Sequence, residues 1–365
     1  MKIRKWVLVV LILFARPACG QSTVTKTPWG NVNDGTTVDL YTVAGKNIEV
    51  KLANFGARIV SIRVPDAKGQ MSNVLVGPDS LTGFLNNWTS VMGATIGRYA
   101  NRIAGGEFTL NGTKYNIPKN NGENALHGGT IGFDRKVWDA KAIGNGVEMS
   151  LTSPDGDMGF PGSLTVHVSF TVTERHGSPA LVISDSAETN KPTVLNLTNH
   201  AFFNLADDTS ASVFGDSALI NADQYTPVSA TGIPTGALDP VQGTPFDFRT
   251  MHPIGDHAPE RGYDNNFVLK SGSIDDIAAE VDDPTSGRTL QVFTTEPGLQ
   301  FFVPRSPSLP RGSDGMRRPA LAAFCLETQH YPDSPNHPAF PSTVLVPGKR
   351  FSSTTVYVLG VKSTP

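Results

Sequence analysis

Cysteine is nearly missing from this chain, with two in 365 residues, Cys19 and Cys325. No cysteine framework of disulfides or zinc can hold such a fold together, so stability must come from core packing. Cys325 sits in the apolar run Leu321-Ala322-Ala323-Phe324-Cys325-Leu326 and reads as a small buried hydrophobe. A basic excess is missing too. Lys and Arg number 30 against 33 Asp and Glu, a net charge of −3 with no basic patch, which disfavours nucleic acid and anionic membranes as partners. No window sustains the i, i+3, i+4 apolar spacing of a long amphipathic helix. No apolar run reaches the roughly 20 residues a bilayer-spanning helix requires.

One short apolar run does occur, at the start. Lys2, Arg4 and Lys5 precede the stretch from Trp6 to Ala15, and Arg16-Pro17 end it before the small residues Ala18-Cys19-Gly20. This is the layout of a signal peptide over residues 1–20, with export to the periplasm or the medium as the expectation. Removing Lys2, Arg4, Lys5 and Arg16 takes the net charge from −3 to −7.

What is present in quantity is strand-like sequence. The 36 glycines and 27 prolines punctuate short runs rich in Val, Ile, Thr and Phe. Residues 47–52 and 164–172 alternate polar and apolar with period two, and 58–64, 180–184 and 354–359 read the same way. Asn111-Gly112 between two such runs predicts a two-residue hairpin turn. Short helical turns are expected near Ser80–Asn86 and Ile274–Ala279. With no internal repeat and no linker, residues 21–365 are expected to form one all-β domain, a large antiparallel β-sandwich or a barrel.

Four polar clusters interrupt the strands: Gly97-Arg98-Tyr99-Ala100-Asn101-Arg102-Ile103, Ala125-Leu126-His127-Gly128-Gly129, Leu195 to Leu205 around Asn199-His200, and Phe324 to Asp333 around Glu327. Guanidinium and amide groups suit paired hydrogen bonds to vicinal hydroxyls. An imidazole between an apolar strand and two aromatic rings suits proton transfer near neutral pH. A carboxylate behind an apolar run is costly to bury, and burial would raise its pKa and make it a better base. Each feature also has an ordinary structural explanation when taken alone.

Together these clusters resemble the aldose 1-epimerases, or galactose mutarotases. The resemblance extends to Gly262-Tyr263-Asp264-Asn265, to Glu296-Pro297-Gly298-Leu299-Gln300 and to the stretch from Glu327 to Asn336 and Phe340-Pro341, with all motifs in family order. It implies a galactose mutarotase-like supersandwich with an open polar cleft that uses no cofactor and no metal. By position, Glu327 falls on the general base, His200 on the general acid and His127 on a second histidine near the sugar ring oxygen. Asn101, Arg102, Asp264 and Gln300 fall on positions that hold hydroxyl groups.

The implied reaction interconverts the α and β anomers of free hexoses such as glucose and galactose, by ring opening, rotation about C1–C2 and reclosure. It asks for two groups that start in opposite protonation states, a carboxylate and an imidazolium. One departure stands out: after Asn-His the family usually has a small hydroxyl residue and then Tyr, where this chain has Ala201-Phe202. Two other functions share parts of this pattern: a glycoside hydrolase using Asp264 and Glu327 as its carboxyl pair, and a sugar-binding protein without catalysis. The expected partner is a small aldose, with no nucleic acid and no membrane after leader cleavage, and the chain is expected to be a monomer or weak dimer.

Overall fold

A computed structural model describes residues 22–85, 89–207, 209–210, 212–305, 309–311 and 317–362. The segment expected to be a signal peptide, residues 1–20 with Cys19, lies outside the described residues. Among the described residues no helix is long and apolar enough to cross a membrane.

The largest element is a nine-stranded antiparallel sheet. In order across it run Asp139–Ile143, Gly146–Ser153, Leu164–Arg175, Ser178–Thr189, Phe351–Val361, Arg288–Thr294, Ile277–Asp282, Ser217–Ile220 and His252–Pro253. Period-two alternation explains why it has one core face: Val166, Val168 and Phe170 are fully buried, while His167 between them is exposed. Burying each such side chain contributes on the order of 1.5–3 kcal/mol. Against this face lie two smaller antiparallel sheets. One is a five-stranded meander from Thr23–Asn31 to Met71–Asn73. The other orders Asp239–Pro240, Ala222–Tyr225, Tyr263–Leu269, Gly298–Val303 and Cys325–Gln329. A single apolar cluster joins all three, drawing Val43 and Val50 from the meander, Leu181 and Tyr357 from the large sheet, and Phe267, Phe301 and Leu326 from the third.

The all-β sandwich expected from the sequence is therefore what forms. Asn111-Gly112 makes its turn with both residues at positive φ, 52° and 79°, between Glu107–Leu110 and Thr113–Asn116. Helical residues appear at Leu81–Phe84, inside the first expected turn. The second expectation fails: only residues 274–275 turn, and Ile277–Asp282 is a strand. That segment finds partners on both edges, in Ser217–Ile220 and Arg288–Thr294, and it sends Ala279 and Val281 into the core. Strand pairing and burial override a weak local helical preference. Cys325 is a free, fully buried thiol packed beside Phe202 in a second apolar cluster, in the role read from its sequence neighbours.

Candidate active site

Glu327 lies in the middle of the strand Cys325–Gln329, directly opposite Gln300 on the neighbouring strand. Asp264 stands one strand further, on Tyr263–Leu269. Antiparallel pairing thus sets three of the proposed site residues on one sheet by register alone. His200 comes from elsewhere. It follows the short strand Thr198–Asn199, which pairs with Thr95–Ile96, and both its backbone groups are clamped: its N–H donates to the Ala94 carbonyl (3.0 Å) and its carbonyl accepts from Gly93 (2.8 Å).

The Asn101-Arg102 and His127 motifs form one unit. Ala125–Leu126 pairs with Arg102–Ile103, the His127 N–H donates to the Asn101 carbonyl (2.9 Å), and the Asn101 N–H donates to His127 Nδ1 (3.2 Å). Asn101 and His127 both occupy the left-handed region, with φ of 60° and 52°. Non-glycine residues adopt it at some cost, and such strain gathers at functional sites. Gly128 follows at φ 85°, where an added Cβ would lie 2.2 Å from the Gly97 carbonyl oxygen, so only glycine lets the two motifs approach this closely. The tail of the Glu327 motif locks onto the same unit: the Asp333 N–H donates to the Arg102 carbonyl (2.9 Å), and Asp333 Oδ1 accepts from the Ala104 N–H (2.9 Å).

These elements bring the seven residues together: His127, His200, Arg102 and Asp264 line open space, and Asn101, Gln300 and Glu327 are buried beside them. His200 Nε2 lies 3.6 Å from Glu327 Oε2, with the His127 ring edge-on to His200 at 5.3 Å between centroids. Arg102 reaches Asp264 Oδ2 from Nη2 (3.4 Å) and donates from Nε to Asn121 Oδ1 (3.2 Å). Gln300 Nε2 donates to Asp264 Oδ1 (2.6 Å). The cleft has two lobes. One, of about 550 Å³, is lined by His127, His200, Phe202, Phe302, Val91 and Leu126. The other, of about 1030 Å³, is lined by Arg102, Asp264, Asn121, Arg305, Tyr225 and again Phe302.

Burial dominates the electrostatics. It pushes the Glu327 carboxyl well above its ordinary value, helped by the Asp264 charge and opposed by Arg102. It takes His200 down to about 3. His127 is held well below the usual imidazole value by burial, then by His200 and Arg102. Burial therefore favours a protonated carboxyl and neutral imidazoles. This uncharged pair is the reverse of the carboxylate and imidazolium with which the implied reaction starts on a closed ring, because each charge is penalised by desolvation.

His127, His200 and Glu327 have ligand atoms within 4.8 Å of one another, a donor set that would suit a divalent metal by composition. The tautomer argues otherwise. His127 Nδ1 spends its lone pair on the Asn101 N–H, so the neutral ring carries its proton on Nε2 and neither nitrogen has a lone pair left for a cation.

Arg98 does not serve the cleft. Its guanidinium is buried and donates to the carbonyls of Pro161, Gly162, Ser153 and Pro154 and to Ser153 Oγ, a scaffold role that the polar appearance of its motif did not reveal. The sequence reading also passed over Phe302, which lines both lobes, and Asn266 and Gln329, which share the Glu327 face. Period-two alternation from Asp264, Gln300 and Glu327 was the available signal for these.

Fold and cleft together define a class: a β-sandwich that sets an acid–base pair beside hydrogen-bonding groups suited to a small polyhydroxylated molecule. The chain belongs to the Aldose 1-epimerase family, whose profile matches residues 39–358. It is 39% identical to galactose mutarotase from Sus scrofa over 344 residues, covering 93% of this chain and 99% of that protein. It is 36% identical to aldose 1-epimerase from Escherichia coli K12 over 323 residues, covering 84% and 91%. Among solved structures, an aldose epimerase homologue from C. elegans superposes with a TM-score of 0.80 at 29% identity, over 86% of this chain and 96% of that one.

Proposed function

We propose that this protein is a mutarotase that interconverts the α and β anomers of free hexoses such as glucose and galactose, with Glu327 and His200 exchanging the protons. The observation that carries the reading is the 3.6 Å approach of His200 Nε2 to Glu327 Oε2, with Arg102, Asp264 and Gln300 hydrogen-bonded to one another nearby.

The chemistry follows from a hemiacetal. Glu327 takes the proton of the anomeric O1 while His200 delivers one to the ring oxygen O5. The C1–O5 bond breaks, its electron pair stays on O5, and the open aldehyde forms. Rotation about C1–C2 turns the other carbonyl face toward O5, and the same transfers run backward to close the opposite anomer. The pair holds one exchangeable proton throughout, on the imidazole when the ring is closed and on the carboxyl when it is open.

The arrangement that burial favours is thus the one required with the open-chain sugar. Closed sugar must draw the pair into its charged form. An O1 hydroxyl donating to Glu327 does this, as does attraction between the two charges in a dry setting. His127, donating from Nε2, suits the ring oxygen, while Asn101, Arg102, Asp264 and Gln300 suit the remaining hydroxyls. A glycoside hydrolase built on Asp264 and Glu327 fits less well. It leaves His200 idle, and Asp264 is already engaged by Gln300 and Arg102.

Export is part of the proposal and rests on the basic-then-apolar leader, as does function as one domain over residues 21–365. The test of the activity is polarimetry of freshly dissolved α-D-glucose and α-D-galactose. Relaxation faster than in buffer is the expected result, and a rate equal to buffer for every aldose overturns the reading.

A further inference from the structure

The face of the third sheet that carries Glu327 has a part that the proton exchange above does not use. Register sets three rows across it: Asp264, Phe302 and Cys325; then Asn266, Gln300 and Glu327; then Val268, Gly298 and Gln329. Asn266 and Gln329 are 1% and 0% exposed. Among the described residues neither carboxamide has a hydrogen-bond partner on its nitrogen or its oxygen, and Gln300 Oε1 and Glu327 Oε2 are likewise unpaired. Six unpaired buried polar atoms crowd two adjacent rows of one sheet face, in a fold that otherwise satisfies most of its polar groups. Gly298 makes the room. A Cβ there would lie 2.6 Å from Asn266 Oδ1 and 2.9 Å from Tyr331 Cδ1, so the Asn266 carboxamide extends over Gly298 toward the row of Gln329.

We propose that Asn266 and Gln329 are positioning residues for Glu327: their buried, unpaired carboxamides reach its carboxyl through a bridging water and set when it keeps or yields its proton. The inference rests on Glu327 being the base. A primary amide suits the task because it donates to a carboxylate and accepts from a carboxylic acid without adding charge. The charged and titratable groups around Glu327 leave little freedom otherwise. Asp264 disfavours its anion and Arg102 favours it. His200 and His127 lie close to it, and Cys325 on the same face and Tyr357 feel its charge.

The test uses Asn266→Leu and Gln329→Met, with two readouts. The first is kcat and KM against pH by polarimetry. Losing an amide donor to the carboxylate moves the acidic limb of kcat to higher pH by about one unit and lowers kcat at pH 7 about tenfold, with KM within about twofold. The second is infrared titration of the protonated Glu327 carbonyl band, assigned by its loss in Glu327→Gln, which shifts in the same direction without needing catalysis. Asn266→Ser and Gln329→Ala keep the test open if the larger apolar replacements do not fold. Folded variants whose kcat limb and infrared titration both match wild type overturn the proposal. If the wild-type protein accelerates no aldose, the epimerase reading falls, and the infrared titration alone then decides the coupling.

Discussion

The two lobes of the cleft solve opposite problems with opposite materials. Around His200 the surroundings are aromatic. Phe202 stacks on the imidazole at 4.9 Å and 5° between planes, and Phe302 meets it edge-on at 6.1 Å. Around Arg102 the surroundings are polar, and Asp264 is held by both Arg102 and Gln300. The aromatic side leaves His200 Nδ1 and Glu327 Oε2 without hydrogen-bond partners, which suits the proposed exchange of a proton. The wet side fixes its groups by hydrogen bonds before any sugar arrives. Proton transfer gains from ambivalence, and recognition gains from preorganisation.

The comparison breaks most visibly at Glu327. Glu327→Gln removes the proposed base without changing shape, and kcat measured by polarimetry is expected to fall about 10³-fold. The same variant sharpens the point in thermal unfolding. Folded Glu327 holds its proton above the pH where the unfolded chain releases it, so its burial costs stability increasingly as pH rises from the ordinary carboxyl range. At pH 7 Glu327→Gln is therefore expected to raise Tm by about 2 °C or more while abolishing activity.

His200→Asn comes next, with kcat lower by about 10²-fold. Combining it with Glu327→Gln is expected to cost little beyond the worse single variant, because the two act as a unit. Its stability sign runs the other way. Folded His200 titrates near 3, so at wild type the unfolded chain gains a proton first and stability drains as pH falls from about 6.5. The variant flattens that loss in a Tm series from pH 7 to pH 5.

On the wet side Arg102→Met is expected to raise KM about tenfold with kcat within about threefold, read from initial rates across sugar concentration. The smallest effect belongs to Phe202→Tyr, which returns a hydroxyl to the dry lobe. One hydrogen bond is worth about 0.5–1.5 kcal/mol, so the change in kcat/KM between α-D-glucose and α-D-galactose should stay near tenfold or below.

Much of this was legible in the chain. Alternation over 164–172 and 180–184 marked the strands of the large sheet, because one buried face forces period two. Motif order groups Asn101, Arg102, His127, His200, Asp264, Gln300 and Glu327, and these lie near one another in the fold. Protonation was not legible. His200 lies at the end of a two-residue strand, and its dryness comes from Phe302, about a hundred residues away, and from Phe202 turning its face rather than its edge. Nor did sequence separate Arg98 from Arg102, four residues apart, since the difference is whether neighbouring carbonyls surround the guanidinium. The strand at Ile277 was misread because its partners, not its residues, decide its conformation.

The division of labour between the lobes is tested most directly by initial rates of α-D-galactose mutarotation across sugar concentration, with Glu327→Gln and Arg102→Met measured beside wild type. The account predicts a crossed result: kcat collapses in Glu327→Gln with KM within a few-fold, and KM rises in Arg102→Met with kcat kept. Loss of the same parameter in both variants, or a wild-type kcat in Glu327→Gln, would contradict it.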